Sequence, residues 1–174
     1  MKKDGAPRAR RPSRSRRYWL FKTEPSELSI EGLRRSPGGV ARWDGVRSYQ
    51  ARNFLRDQVQ RDDGVLIYHS SIQTPAIVGL ARIARTAYPD PTAFDLSSDY
   101  FDSKSVRDRP RWIAVDVAWV RTFATSQPLK ELRARPELAR MMLLRRGMRL
   151  SIQPVAVEHW RAILRAAGLR DDPW

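Results

Sequence analysis

Cysteine is absent from this chain, which excludes disulfides, thiolate metal ligands and a cysteine nucleophile. That absence permits a reducing compartment without demanding one. With only two histidines and no thiol, a structural zinc site has no ligand set to draw on. Asp44, Asp99, Asp102 and Asp108 lie scattered over loop-like sequence, without the spacing that holds a cation. Gly38-Gly39 and Gly45 match neither the dinucleotide nor the nucleoside-triphosphate fingerprint. No apolar run approaches the length of a membrane span. These gaps point to no metal, no cofactor and no membrane partner.

What is abundant is arginine. Of 33 basic residues 28 are Arg, and the formal net charge is +14 with a pI near 11.2. Such a balance points to a polyanionic partner, although genome composition also raises arginine content. Half of that charge, +7, sits in residues 1–17, read here as a basic, disordered tail. Residues 18–174 then form a single domain, long enough to bury a core without staples. Ser15-Arg16-Arg17-Tyr18-Trp19-Leu20 has the outline of a twin-arginine export signal. Thr23-Glu24-Pro25-Ser26-Glu27 interrupts the apolar stretch at once, so export is rejected. The setting read from this is cytoplasmic, with nucleoid association as the other option. Arg14, Arg16 and Arg17 of the tail, with Arg52, are candidates to contact a nucleic-acid backbone.

The chain pattern alternates short strands with helices. Tyr18 to Lys22, Val65 to Tyr68, Ile77 to Arg85, Arg111 to Val120 and Arg149 to Gln153 read as strands. Gly79 inside the third suggests a bulge or a close backbone approach. Helices are expected over Tyr49–Arg61, Leu129–Arg135, Pro136–Leu144 and Pro154–Ala167. Few long parallel crossovers are available, so the class is α+β with a small, mostly antiparallel barrel flanked by helices.

The most informative stretch is Trp43-Asp44-Gly45-Val46-Arg47-Ser48-Tyr49-Gln50-Ala51-Arg52-Asn53-Phe54. It places an aromatic, a turn-forming Asp-Gly and three arginines ahead of a helical pattern. One reading is a loop with an N-capped surface helix. The other is a base-holding pocket, with a ring to stack on and a glycine that lets backbone approach a ligand. Trp43, in a loop among polar residues, is the tryptophan least explained by packing; Trp19 and Trp160 read as core. Trp112 and Trp119 lie seven apart in one strand and so face opposite sides, with one in the core. His69 sits at a strand mouth beside Ser70, without the elbow that marks a serine nucleophile. Arg149 presents a guanidinium either to phosphate or to its own loop.

These blocks resemble the EVE domain family of the PUA-like superfamily. The resemblance runs from Tyr18 to about Leu164 and rests on Tyr18-Trp19-Leu20-Phe21-Lys22-Thr23-Glu24-Pro25, the Trp43–Asn53 block, and Tyr68-His69-Ser70. It continues in Ile77-Val78-Gly79 with Ala87-Tyr88-Pro89-Asp90, and in Arg149-Leu150-Ser151-Ile152-Gln153-Pro154. It implies a PUA-like barrel and a non-catalytic pocket for a modified cytosine or adenine in DNA or RNA. By motif position the resemblance assigns that pocket Trp43, Arg47, Ser48, Tyr49, Tyr68, His69, Ser70, Arg149, Ser151 and Gln153. Trp43 would stack on the base, and Ser48, Ser70 and Ser151 would meet its edge. Arg47 and Arg149 would position phosphate or shape the pocket. Ser48 stands where relatives carry Asn; Thr23 and Ile152, for Ser and Val, are milder departures. Two other functions fit the same residues: an enzyme on modified nucleotides with His69 as base and Ser70 or Asp44 assisting, and an RNA-binding module of translation or RNA modification.

Overall fold

The structure, a computed structural model, describes residues 15–170 and Pro173. In chain order it runs β1 (Tyr18–Thr23), α1 (Pro25–Leu28), α2 (Ile30–Arg35), a 3-10 turn (Pro37–Gly39), β2 (Val40–Trp43), α3 (Tyr49–Asp57), β3 (Gly64–His69) and β4 (Ala76–Pro89). A turn at Pro91–Phe94 leads to β5 (Ile113–Pro128), α4 (Leu129–Arg133), 3-10 turns at Pro136–Leu138 and Met142–Leu144, β6 (Ile152–Val155) and α5 (Val157–Ala166). The six strands form one sheet in the order β2-β5-β4-β3-β1-β6. Only β1 and β3 pair in parallel; all other neighbours are antiparallel. The α+β class and the mostly antiparallel sheet agree with the sequence. The barrel stays open, because the end strands β2 and β6 do not pair with each other.

Strand alternation sends successive side chains to two cores. Trp19 and Phe21 of β1 and Val65 and Ile67 of β3 enter the first, which also takes Trp43 of β2 and Ile152 of β6. Both end strands thus feed one interior, so the sheet curls around it, and α2 and α3 close it with Ile30, Leu33, Ala51 and Leu55. Leu20, Leu66 and Tyr68 point the other way, onto Trp160, Ile163 and Leu164 of α5. At roughly 1.5–3 kcal/mol for each fully buried large apolar side chain, both faces contribute substantially to folding.

Several boundaries differ from the sequence reading. The first long helix stops at Asp57 rather than Arg61. Pro136 starts only 3-10 turns. Val40–Trp43, too short to show alternation, is a strand. Pro154 does not open the last helix but sits in β6, opposite Trp19. That strand pairs on one side only, and an edge is where a residue without an N–H is tolerated. Gly79 lies at a register shift, where an added Cβ would collide with the Arg121 carbonyl. Trp112 precedes β5 and is buried, whereas Trp119 is half-buried against the first core. Register shifts along β5 disturb the simple alternation that separates positions seven apart.

The tail expected over residues 1–17 lies largely outside the described residues, and Arg14 with it. Its last residues are tied to the turn before β3. Arg16 Nε donates to the Asp62 carbonyl at 2.8 Å, and the Arg17 carbonyl accepts from Gly64 N at 3.0 Å. Buried Asp63 takes the Trp19 indole N–H at 2.9 Å and the Arg17 amide at 3.2 Å.

Candidate functional site

A cavity of about 470 Å³ lies between the end of β2 and the residues leading into β6, where the curled sheet is left open. Lys22 and Thr23 from the end of β1, Glu24 and Glu27 from around α1, and Trp43 from β2 form part of its wall. Gly45, Arg47, Ser70, Tyr100, Arg149 and Ser151 complete much of the rest.

One carboxylate organises this wall. The Asp90 side chain is wholly buried and accepts from Gly45 N at 3.0 Å, Arg47 Nη1 at 2.8 Å, Thr92 N at 2.9 Å and Thr92 Oγ1 at 2.7 Å. Burial pushes its pKa up, but the hydrogen bonds from Arg47, Thr92 and Gly45 outweigh that and hold it below the usual carboxylate value. Asp90 thereby fixes the turn after Trp43. Gly45 adopts φ +70°, and a Cβ there would stand 2.8 Å from the Tyr100 ring.

Arg47 shapes the cavity and has no donor left for phosphate. Its Nε reaches the Tyr100 carbonyl at 3.1 Å, Nη1 serves Val46 O and Asp90, and Nη2 serves Thr92 Oγ1 and the Tyr100 carbonyl. The guanidinium also lies 5.3 Å from the Tyr100 and Trp112 ring centres, an arrangement of cation over π face.

Trp43 corrects a sequence expectation. It is a strand residue, 6% exposed, with its ring 5.1 Å from that of Phe21. Packing therefore accounts for most of it, and only a sliver forms cavity wall. Its indole N–H has no hydrogen-bond partner among the described residues. Tyr100 is the less buried aromatic in the wall.

Of the ten residues named for the pocket, Trp43, Arg47, Ser70, Arg149 and Ser151 share the wall. The other five lie off it. Ser48 caps α3, accepting from Ala51 N at 3.4 Å; Asn is an equally good cap, so this departure keeps the local job. Tyr49 is 54% exposed and stacks on Trp112 with centroids 5.0 Å apart. Tyr68 is buried in the second core. Gln153 is buried, with Nε2 donating to Leu150 O at 2.8 Å. Arg52, named for backbone contact, is engaged by Asn53 Oδ1 and the Arg111 carbonyl.

His69 is a packing residue. Its Nε2 accepts from the Ile30 amide at 3.1 Å, and burial pulls its pKa below the ordinary histidine value. Asp44, one of its suggested assistants, pairs with Arg42 at 2.6 Å. A group whose folded pKa is depressed binds fewer protons folded than unfolded. Stability is therefore expected to fall as pH drops from about 6.5 toward the folded value, then to level off for this group. Urea melts of wild type and His69→Gln between pH 5 and 7 check this. A variant that keeps the wild-type slope would assign the loss elsewhere.

Sequence reasoning missed Lys22, Glu27, Tyr100 and Asp90. Lys22 Nζ donates to Met148 O at 2.8 Å, and burial draws its pKa down. The Tyr100 hydroxyl is held neutral, its pKa raised by burial and then by Glu27, Asp44 and Glu24. The signal for Asp90 was present in Pro89-Asp90-Pro91-Thr92, an aspartate placed to cap a turn between two prolines.

Comparison with known proteins agrees with this architecture. The EVE domain family model matches residues 17–166. Mouse thymocyte nuclear protein 1 is 42% identical over 163 residues, covering 84% of this chain and 72% of the relative. A crystal structure of a Pseudomonas putida protein is 50% identical with TM-score 0.82, covering 86% of this chain and 99% of that one. The crystal structure of human THYN1 protein in complex with 5-methylcytosine-containing DNA is 37% identical with TM-score 0.83, covering 89% and 99%. A YTH domain from Zygosaccharomyces rouxii shares the fold at 15% identity and TM-score 0.52. From the length of the family match and these identities, the chain belongs to the EVE domain family.

Proposed function

We infer that this protein is a non-catalytic reader of a modified base, with 5-methylcytosine in DNA the first ligand to test. The observation that carries this is the cavity at the open seam of the sheet, which has aromatic wall and unpaired polar groups together. Its size lies in the range of sites that enclose small ligands, about 300–1,000 Å³. The human relative bound to methylated DNA supports the choice of base. Flipping a base costs a few kcal/mol, so single-stranded or weakened sites bind more readily than intact duplex.

The wall also favours a base with an exocyclic amine. The Glu27 carboxylate has no hydrogen bond or ion pair with any described residue, and carboxylates accept from the cytosine N4 amine. Glu24 is occupied by Ser71 Oγ at 2.7 Å and Asp44 by Arg42. Trp43 and Tyr100 bound the apolar part, where an added methyl group is sheltered. A reader role also suits His69, whose Nε2 lone pair is taken by Ile30 and which lies off the wall.

The test is equilibrium binding to matched oligonucleotides carrying cytosine, 5-methylcytosine, adenine or N6-methyladenine, as DNA and as RNA, single- and double-stranded. Wild type is expected to prefer one modified base over its plain counterpart. Glu27→Gln is expected to weaken that complex about tenfold, the low end for a charged hydrogen bond because the residue is exposed. Equal affinity for modified and plain bases in every context would refute the reading.

A further inference from the structure

We propose that the loop from Arg145 to Arg149 is a phosphate clamp on the cavity rim, holding the backbone of the strand whose base occupies the cavity. The proposal rests on the reader reading above and adds where the strand runs. Residues 138–157 contain four arginines, Arg140, Arg145, Arg146 and Arg149, and no aspartate or glutamate. All four are exposed, and none of their guanidinium groups makes a hydrogen bond or ion pair with a described residue.

Their position is fixed relative to the cavity. Arg149 is part of the wall. Lys22, also in the wall, ties the loop down through its 2.8 Å bond to Met148 O. Leu143 before the loop is buried in one core and Ile152 after it in the other, so both ends are anchored. Gly147, at φ +72°, turns the chain with nothing within 4 Å of where its Cβ would be.

The arginines on the opposite rim are already committed. Arg47 has spent its donors on Asp90, Thr92 and two carbonyls, and Arg42 pairs with Asp44. Arg52, which does not line the cavity, is held by Asn53 and Arg111 O. Uncommitted guanidinium beside the opening therefore concentrates on one side, the 145–149 loop. A planar fork of donors suits phosphate oxygens, and a phosphate contact positions a strand without reading its sequence.

The experiment measures affinity against salt for the full chain, using 5-methylcytosine and cytosine oligonucleotides. Arg145→Gln/Arg146→Gln is compared with Arg161→Gln/Arg165→Gln, which removes the same charge from α5 on the second core. The loop variant is expected to lower the slope of log K against log salt by about two and to weaken both oligonucleotides equally. The α5 variant is expected to leave the slope near wild type. An unchanged slope for the loop variant, or an equal loss for the α5 variant, overturns the clamp. Loss of slope in a protein that shows no base preference supports the clamp and sinks the reader. A wild type that binds no oligonucleotide overturns both.

Discussion

Replacing Asp90 with alanine is expected to lower the melting temperature by roughly 10 °C and to abolish any base preference. The substitution leaves the Arg47 guanidinium and the Gly45 and Thr92 amides facing a buried site that has lost its acceptor. Breaking a buried pair from one side costs about 3–5 kcal/mol. The Arg47 side chain is 23% exposed, so water softens the loss and the lower end applies. At about 2–4 °C per kcal/mol for a domain of this size, the shift is large enough to read by calorimetry. The pH dependence has a definite sign. The depressed pKa of Asp90 means its contribution is present above the unfolded value, near 4, and is lost as pH falls through the lower folded value. Asp90→Asn should therefore flatten the acid limb of the stability curve. If Asp90→Ala melts with wild type and binds as well, the carboxylate does not organise the wall.

Trp43→Ala should be at least as damaging, and for two separable reasons. The indole belongs to the first core against Phe21, and truncating a buried tryptophan costs about 3–5 kcal/mol. It also removes cavity wall and its N–H. Trp43→Phe separates these effects, since it keeps an aromatic ring in the core while trimming the wall. We expect Trp43→Phe to fold, with a smaller fall in melting temperature, and to lose five- to about a hundredfold in affinity for the preferred oligonucleotide, the range of a lost base–aromatic contact. Measured by titration at fixed salt, unchanged affinity in a folded Trp43→Phe would remove this ring from recognition.

The parts of the fold that could be read in advance are those where local chemistry and tertiary context agree. Tyr18 to Lys22 and Val65 to Tyr68 are dense in aromatic and branched side chains, and they are central strands. Pro154 misled because a proline after a short strand carries the same signal as the first residue of a helix. Only the pairing of β6 to β1 on one side decides between them. Openness of the barrel was likewise hidden, since it depends on β2 and β6 failing to meet. In the cavity, Trp43, Arg47, Ser70, Arg149 and Ser151 come from three separate stretches that folding brings to one wall. Tyr68 and Gln153 stand two residues from the wall residues Ser70 and Ser151, yet Tyr68 is taken up by the second core and Gln153 turns back onto the Leu150 carbonyl. Tyr100 and Asp90 lay in a loop-like span whose role shows only through contact with Arg47 and Gly45.

Pairing of β1 with β6 joins Tyr18 to Val155, almost the full span of the domain. A nascent chain still missing its last strand therefore has the Trp43 side of the hollow without the Arg149 and Ser151 side. Such distant partners slow the search for the native state, because a long loop must close before contacts reward it. The cavity wall is then complete only when synthesis is essentially finished, so C-terminally truncated products carry the charge of this protein without its full hollow.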